Sequence, residues 1–167
     1  SAANARIEFR PIGAQPTVPD SAAFQAAFAG LLESLTTREH PVASLDWSTA
    51  RGNFYRAMRD GLGSEQVWIT NDGERTTDAD RLFDDLLAHA RDGLVTAGCS
   101  ESVADRYLQP LADRVETGVT PAAWKLAAAR RRLDDGAGLA DAVAGAQREY
   151  ITRQEETLLE GSFAEWL

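Results

Sequence analysis

The chain has 167 residues, enough for one domain with its own core, and 44% of them are hydrophobic, too many for a disordered polymer. Its formal net charge of −9 argues against nucleic-acid binding, because phosphate contacts need clustered Lys and Arg. No apolar run reaches bilayer length and no segment reads as a signal peptide, so a cytoplasmic protein with no membrane partner is expected.

The first element is a short strand at about residues 5–10, in ARIEFR. Alternation puts Glu8 and Arg10 on one face and Ile7 and Phe9 on the other. PIGAQPTVPD follows as a Pro- and Gly-rich turn, and Asp20 or Ser21 is then placed to cap a helix whose apolar stripe is Phe24, Phe28, Leu31, Leu32 and Leu35. STARGNFYRAMRDGL predicts a second helix, from near Ser48 to near Gly61. VWITNDGERT predicts a hairpin turning at Asn71-Asp72-Gly73.

Thr77 and Asp80 fit a capping box for a helix with its stripe on Leu82, Phe83, Leu86, Leu87, Ala90 and Leu94, ending at Gly98. Ser100 or Ser102 starts the next helix, closed by Gly118, in which Pro110 predicts a kink or break. Thr120-Pro121 opens a helix to about Leu133, and a last helix runs from about Leu139 to Leu159. Phe163 and Trp166 of the tail are expected to dock on the body. The fold class is therefore α+β and mostly helical. A strand/helix part spans residues 1–76 and a helical part spans residues 77–167, together one domain or fragment. Cys99 is the only cysteine, which excludes an intrachain disulfide, and it reads as an inert small hydrophobe. His40 and His89 lie in no recognisable nucleophile motif and read as surface or packing residues.

ARIEFR, with a Pro-containing turn and a long apolar helix after it, resembles the E-x-R strand of the carboxylate–amine ligase family that includes bacterial-type glutamate–cysteine ligases. NFYRAMRDGL, reading N-x-x-x-A-x-R-x-G-L from Asn53 to Leu62, resembles the helix that follows in that family. The hairpin, its following helix and the E-T-G ending at Gly118 keep the same order. The resemblance covers about residues 5–155. It implies an ATP-dependent ligase with a glutamine-synthetase-like antiparallel sheet, incomplete in this chain. Such an enzyme phosphorylates the γ-carboxylate of glutamate with ATP, and an amine, cysteine in the leading case, then displaces phosphate, a step of glutathione biosynthesis.

Carried onto these positions, the resemblance makes Glu8 a Mg²⁺ ligand, Arg10 the catalytic contact to the ATP phosphates, and Asn53 and Arg59 further nucleotide-binding residues. The chemistry is apt. Phosphoryl transfer needs its developing charge neutralised, Mg²⁺ takes carboxylate and phosphate oxygens, and a guanidinium forks onto phosphate. A solvated ion pair worth under about 1 kcal/mol accounts for the same two residues. Asn53 and Arg59 are six apart and point in different directions on a regular helix. The paired-carboxylate strand that such enzymes carry upstream is not in this sequence. The expectation is thus a C-terminal portion, inactive alone, that associates with the missing N-terminal half or with itself through the strand and hairpin. The competing reading is an acidic helical interaction module without catalytic activity.

Overall fold

The computed structural model describes residues 8–10 and 12–167. Helix α1 spans Val18–Thr37, α2 Trp47–Asp60, α3 Ala79–Thr96, α4 Glu101–Thr117, α5 Pro121–Asp134 and α6 Leu139–Thr157. Strands β1, Trp68–Ile69, and β2, Arg75–Thr76, form an antiparallel hairpin in which Trp68 pairs with Thr76 and Ile69 with Arg75. Single 3-10 turns occupy Pro41–Ser44, Gly61–Gly63 and Phe163–Trp166. The architecture of the described residues is mostly helical with a small two-stranded antiparallel sheet, as the sequence predicts. No helix among the described residues is long and apolar enough to cross a membrane.

The expected strand at residues 5–10 is corrected. Residues 8–10 adopt no regular structure, and residues 5–7 lie outside the described residues. Extended backbone becomes a strand only when a neighbour pairs with it, and among the described residues the hairpin strands pair only with each other. The side-chain alternation survives without the ladder. Phe9 stacks on Phe28, with ring centroids 4.8 Å apart, yet stays 47% exposed, and the Arg10 side chain is 81% exposed.

The start of α1 also differs. Thr17 is the cap, its hydroxyl accepting the Asp20 amide N–H at 3.1 Å, so the helix begins inside the stretch read as a turn. Likewise Asp78, not Thr77, caps α3. Helix α4 runs on through Pro110, started by Ser100 and stopped by Gly118 in the left-handed conformation, φ 65°.

Helix α1 buries a face different from the expected one. Asp20, Ala23, Ala27, Gly30 and Ser34 are buried, whereas Phe24, Phe28 and Leu31 are only partly covered and Leu35 is exposed. The reason is a backbone-to-backbone crossing of α1 and α3 at Gly30, Ala90 and Gly93. Only small residues fit such a crossing, so the phenylalanines are displaced to its flank. There Phe9, Phe24, Phe28, Phe83, Leu87 and Leu111 wall an apolar cavity of about 310 Å³.

Two core clusters result. Ala27, Ala90, Leu94, Ala104 and Leu108 unite α1, α3 and α4, with Cys99 packed at the margin. Trp124, Ala128, Ala146, Tyr150, Phe163 and Trp166 unite α5, α6 and the tail, which docks as expected. The two clusters are joined near the start of α1. The Val18 amide donates to the Leu158 carbonyl at 2.8 Å, Gln154 donates to the Pro16 carbonyl at 2.9 Å, and the Phe163 amide donates to Asp20 at 3.0 Å.

Candidate functional site

Glu8 and Arg10 lie in the irregular segment ahead of α1. The Arg10 Nε–H donates to Glu8 Oε2 at 2.7 Å, and its Nη2 contacts the same oxygen. The Arg10 side chain is 81% exposed. Phe9 between them stacks on Phe28, while the carboxylate and guanidinium pair with each other. This is the arrangement the alternation predicts.

Asn53 on α2 has a different setting. Its Nδ2 donates to the Val67 carbonyl at 2.7 Å and its Oδ1 accepts the Val67 amide at 2.9 Å, a two-way clasp between helix and hairpin. Arg56 reinforces the clasp by donating to Asn53 Oδ1 and to the Glu65 carbonyl. Arg59 lies at the exposed end of α2 and forks onto Asp60, whose carboxyl its hydrogen bonds hold below the usual range. Gln15, in the turn after the expected strand, accepts from Arg114 at 2.8 Å. Glu8 and Arg10 are thus brought together, whereas Asn53 and Arg59 each engage local partners of their own.

A second constellation lay hidden in the sequence. His40, Asp85 and His89 gather their ligand atoms within 4.8 Å of one another. Asp85 is the hub. It accepts the Trp68 indole N–H at 2.7 Å, His40 Nε2 at 3.1 Å and the Asn71 amide at 2.9 Å, which ties the hairpin to α3. Burial pushes its carboxyl up, but these hydrogen bonds outweigh burial and the net direction is down. His89 lies across from Ser34, Oγ to Nδ1 2.9 Å, with its ring edge-on to that of His40 at 4.3 Å. Both histidines are buried, so of the two expected roles packing holds and surface does not. Asp85 and His89, four apart on one helix face, were the available signal.

The trio does not fit a metal as it stands. His40 Nδ1 accepts the Val42 amide at 3.0 Å, so the ring proton sits on Nε2 and points to Asp85. An imidazole that binds metal through Nε2 carries its proton on Nδ1. The cluster is a structural anchor.

Its titration gives a prediction. Burial, then the facing His40, lower the His89 pKa from 6.5, with Arg38 adding and Asp85 and Asp92 opposing. The unfolded chain therefore takes up this proton at a higher pH than the folded chain does. Stability is full above the unfolded value and is lost as pH falls from there through the folded value. The urea midpoint is expected to drop as pH falls through 6.5 and below, and His89→Gln is expected to flatten that drop. An equal drop in the variant would place the effect on other groups.

The apolar cavity beside Phe9 suits neither phosphate nor an amino acid, since its walls offer almost no polar group. No curated protein and no solved structure gave a match to the chain. A family model does match, over residues 1–157, and its description is glutamate-cysteine ligase family 2. The matched span holds Glu8, Arg10, Asn53 and Arg59 together with helices α1 to α6, and the chain belongs to glutamate-cysteine ligase family 2.

Proposed function

We propose that this chain forms part of an ATP-dependent ligase that joins the γ-carboxylate of glutamate to an amine, cysteine in the leading case, through γ-glutamyl phosphate. The family match over residues 1–157 carries the reading; the Glu8–Arg10 pair, with Arg10 81% exposed, is equally accounted for by a solvated ion pair and adds no separate support. Their chemistry fits the expected groups. Mg²⁺ is a hard cation that takes oxygen ligands, which suits the Glu8 carboxylate and disfavours the imidazole-rich trio. When bound, Mg²⁺ would neutralise charge on the phosphates. Arg10 would bind and orient a phosphate oxygen, exchanging its bond to Glu8 for a bidentate one. Phe9 would hold the segment steady against Phe28. Asn53 keeps α2 in register with the hairpin, and Arg59 would reach nucleotide by releasing Asp60.

One carboxylate does not complete a Mg²⁺–ATP site, so in this reading an N-terminal half supplies further acidic ligands. The chain alone is expected to form no γ-glutamylcysteine from glutamate, cysteine and Mg²⁺–ATP. In the intact enzyme, Glu8→Ala is expected to lower turnover roughly 100-fold or more with the melting temperature unchanged, because the residue stabilises charge rather than the core. Turnover equal to wild type in that variant would remove Glu8 from the site. The reading as an interaction module draws its support from a different element, α2.

A further inference from the structure

Residues 8–10 and 12–17 lead to α1 without the strand pairing that fixes extended backbone, so side chains set their course. At one end Phe9 stacks on Phe28 while remaining half exposed. At the other end Gln15 is gripped through both atoms of its amide. Its Oε1 accepts the Arg114 Nη1–H at 2.8 Å, and its Nε2 donates to the Gly13 carbonyl at 2.8 Å. Beyond Gln15 the chain is already fixed, since Pro16 and Thr17 are buried and Gln154 donates to the Pro16 carbonyl. Gln15 therefore clamps the chain just where it leaves the body toward Arg10 and Glu8.

The clamp is stiff on the body side. Arg114 is buried, its Nη2 donates to Asp20, and its guanidinium carbon lies 5.5 Å from the ring centres of both Phe24 and Phe163. A guanidinium held in this way cannot follow the segment outward. Helix α2, whose Trp47, Phe54 and Met58 stand exposed, has its own attachment, the clasp of Asn53 and Arg56 to residues 65–67.

We propose that Gln15 is a positioning residue for the Glu8–Arg10 pair, a role that rests on the ligase reading. Held by Arg114, it keeps the segment on the course that presents Arg10 to nucleotide phosphate. A hydrogen bond to a charged group favours the held state over the released one by roughly 10–100-fold. Without that bond only a fraction of molecules hold the segment in place before nucleotide arrives. Binding must select that fraction, so the apparent affinity falls by the same factor. Saturating nucleotide restores the held state, which puts the effect on KM and spares kcat. A loss of folded protein does the reverse, lowering kcat and leaving KM alone.

Two substitutions separate the bonds. Gln15→Met keeps the length of the side chain and removes the acceptor. Gln15→Glu keeps an acceptor for Arg114 and removes the donation to Gly13. In the intact enzyme Gln15→Met is expected to raise KM for ATP about tenfold, with kcat and KM for glutamate unchanged, and Gln15→Glu is expected to restore most of the loss. Chymotrypsin acting on the whole chain gives a readout without activity. Cleavage after Phe9, followed by mass spectrometry, should be several-fold faster in Gln15→Met than in wild type or Gln15→Glu. An unchanged KM for ATP, a fall in kcat alone, or an unchanged cleavage rate would each overturn the proposal and leave the ligase reading standing. Absence of ATP-dependent ligation by the wild-type intact enzyme would overturn that reading, and the proposal with it.

Discussion

Asp20→Ala is expected to destabilise the protein by about 3–5 kcal/mol, because it strands a buried guanidinium. Asp20 is 1% exposed and makes three bonds. Its Oδ1 accepts Arg114 Nη2 at 2.8 Å, and its Oδ2 accepts the Thr17 hydroxyl at 2.6 Å and the Phe163 amide at 3.0 Å. One carboxylate therefore ties the start of α1 to α4 and to the C-terminal tail. Arg114 lies 5.5 Å from the ring centres of both Phe24 and Phe163, and its Nε has no partner among the described residues. Without Asp20 the guanidinium retains Gln15, a neutral acceptor, in an apolar setting. Thermal denaturation should show a melting temperature lower by on the order of 10 °C. Asp20→Ala combined with Arg114→Met should recover part of the loss, since it removes the uncompensated charge. A single-variant loss under about 1 kcal/mol would show that water reaches the pair and that it is not a true interior contact.

Gly93→Ala is expected to cost about 2–4 kcal/mol, although alanine is the better helix former by about 1 kcal/mol. A Cβ on Gly93 would lie 1.8 Å from the Gly30 carbonyl oxygen, and one on Gly30 would lie 2.0 Å from the Ala90 carbonyl oxygen. Both obstacles are backbone, so no side chain can swing aside. Helices α1 and α3 would have to part, and that opens the Ala27–Ala90 contact in the core. Gly52 on α2 is the control. A Cβ there meets the far end of the Arg56 side chain at 3.0 Å, which can move, so Gly52→Ala should be neutral or mildly stabilising. Chemical denaturation of the two variants side by side decides the matter. Gly93→Ala as stable as wild type would mean that the helices slide at low cost.

Much of the fold was legible because helix boundaries are local chemistry. Ser100, Thr120, Gly118 and the Asn71-Asp72-Gly73 turn act on their own neighbours, and the structure places them where the sequence does. The burial of Phe163 and Trp166 was legible too, because a short tail with two large apolar groups has one favourable place to go. The Glu8–Arg10 pairing follows from alternation alone and needs no sheet.

What the sequence by itself determined, then, is the α+β class, the order of helices, the turns, the family motifs and the outward pairing of Glu8 with Arg10. Only the tertiary structure decided that α1 buries its small residues instead of its phenylalanines, that α2 turns its aromatic stripe away from the body, and that His40, Asp85 and His89 close into one buried knot. Periodicity says which residues share a face. Which face is covered depends on how closely two backbones can approach, and glycines far apart in the chain set that distance at the crossing of α1 and α3.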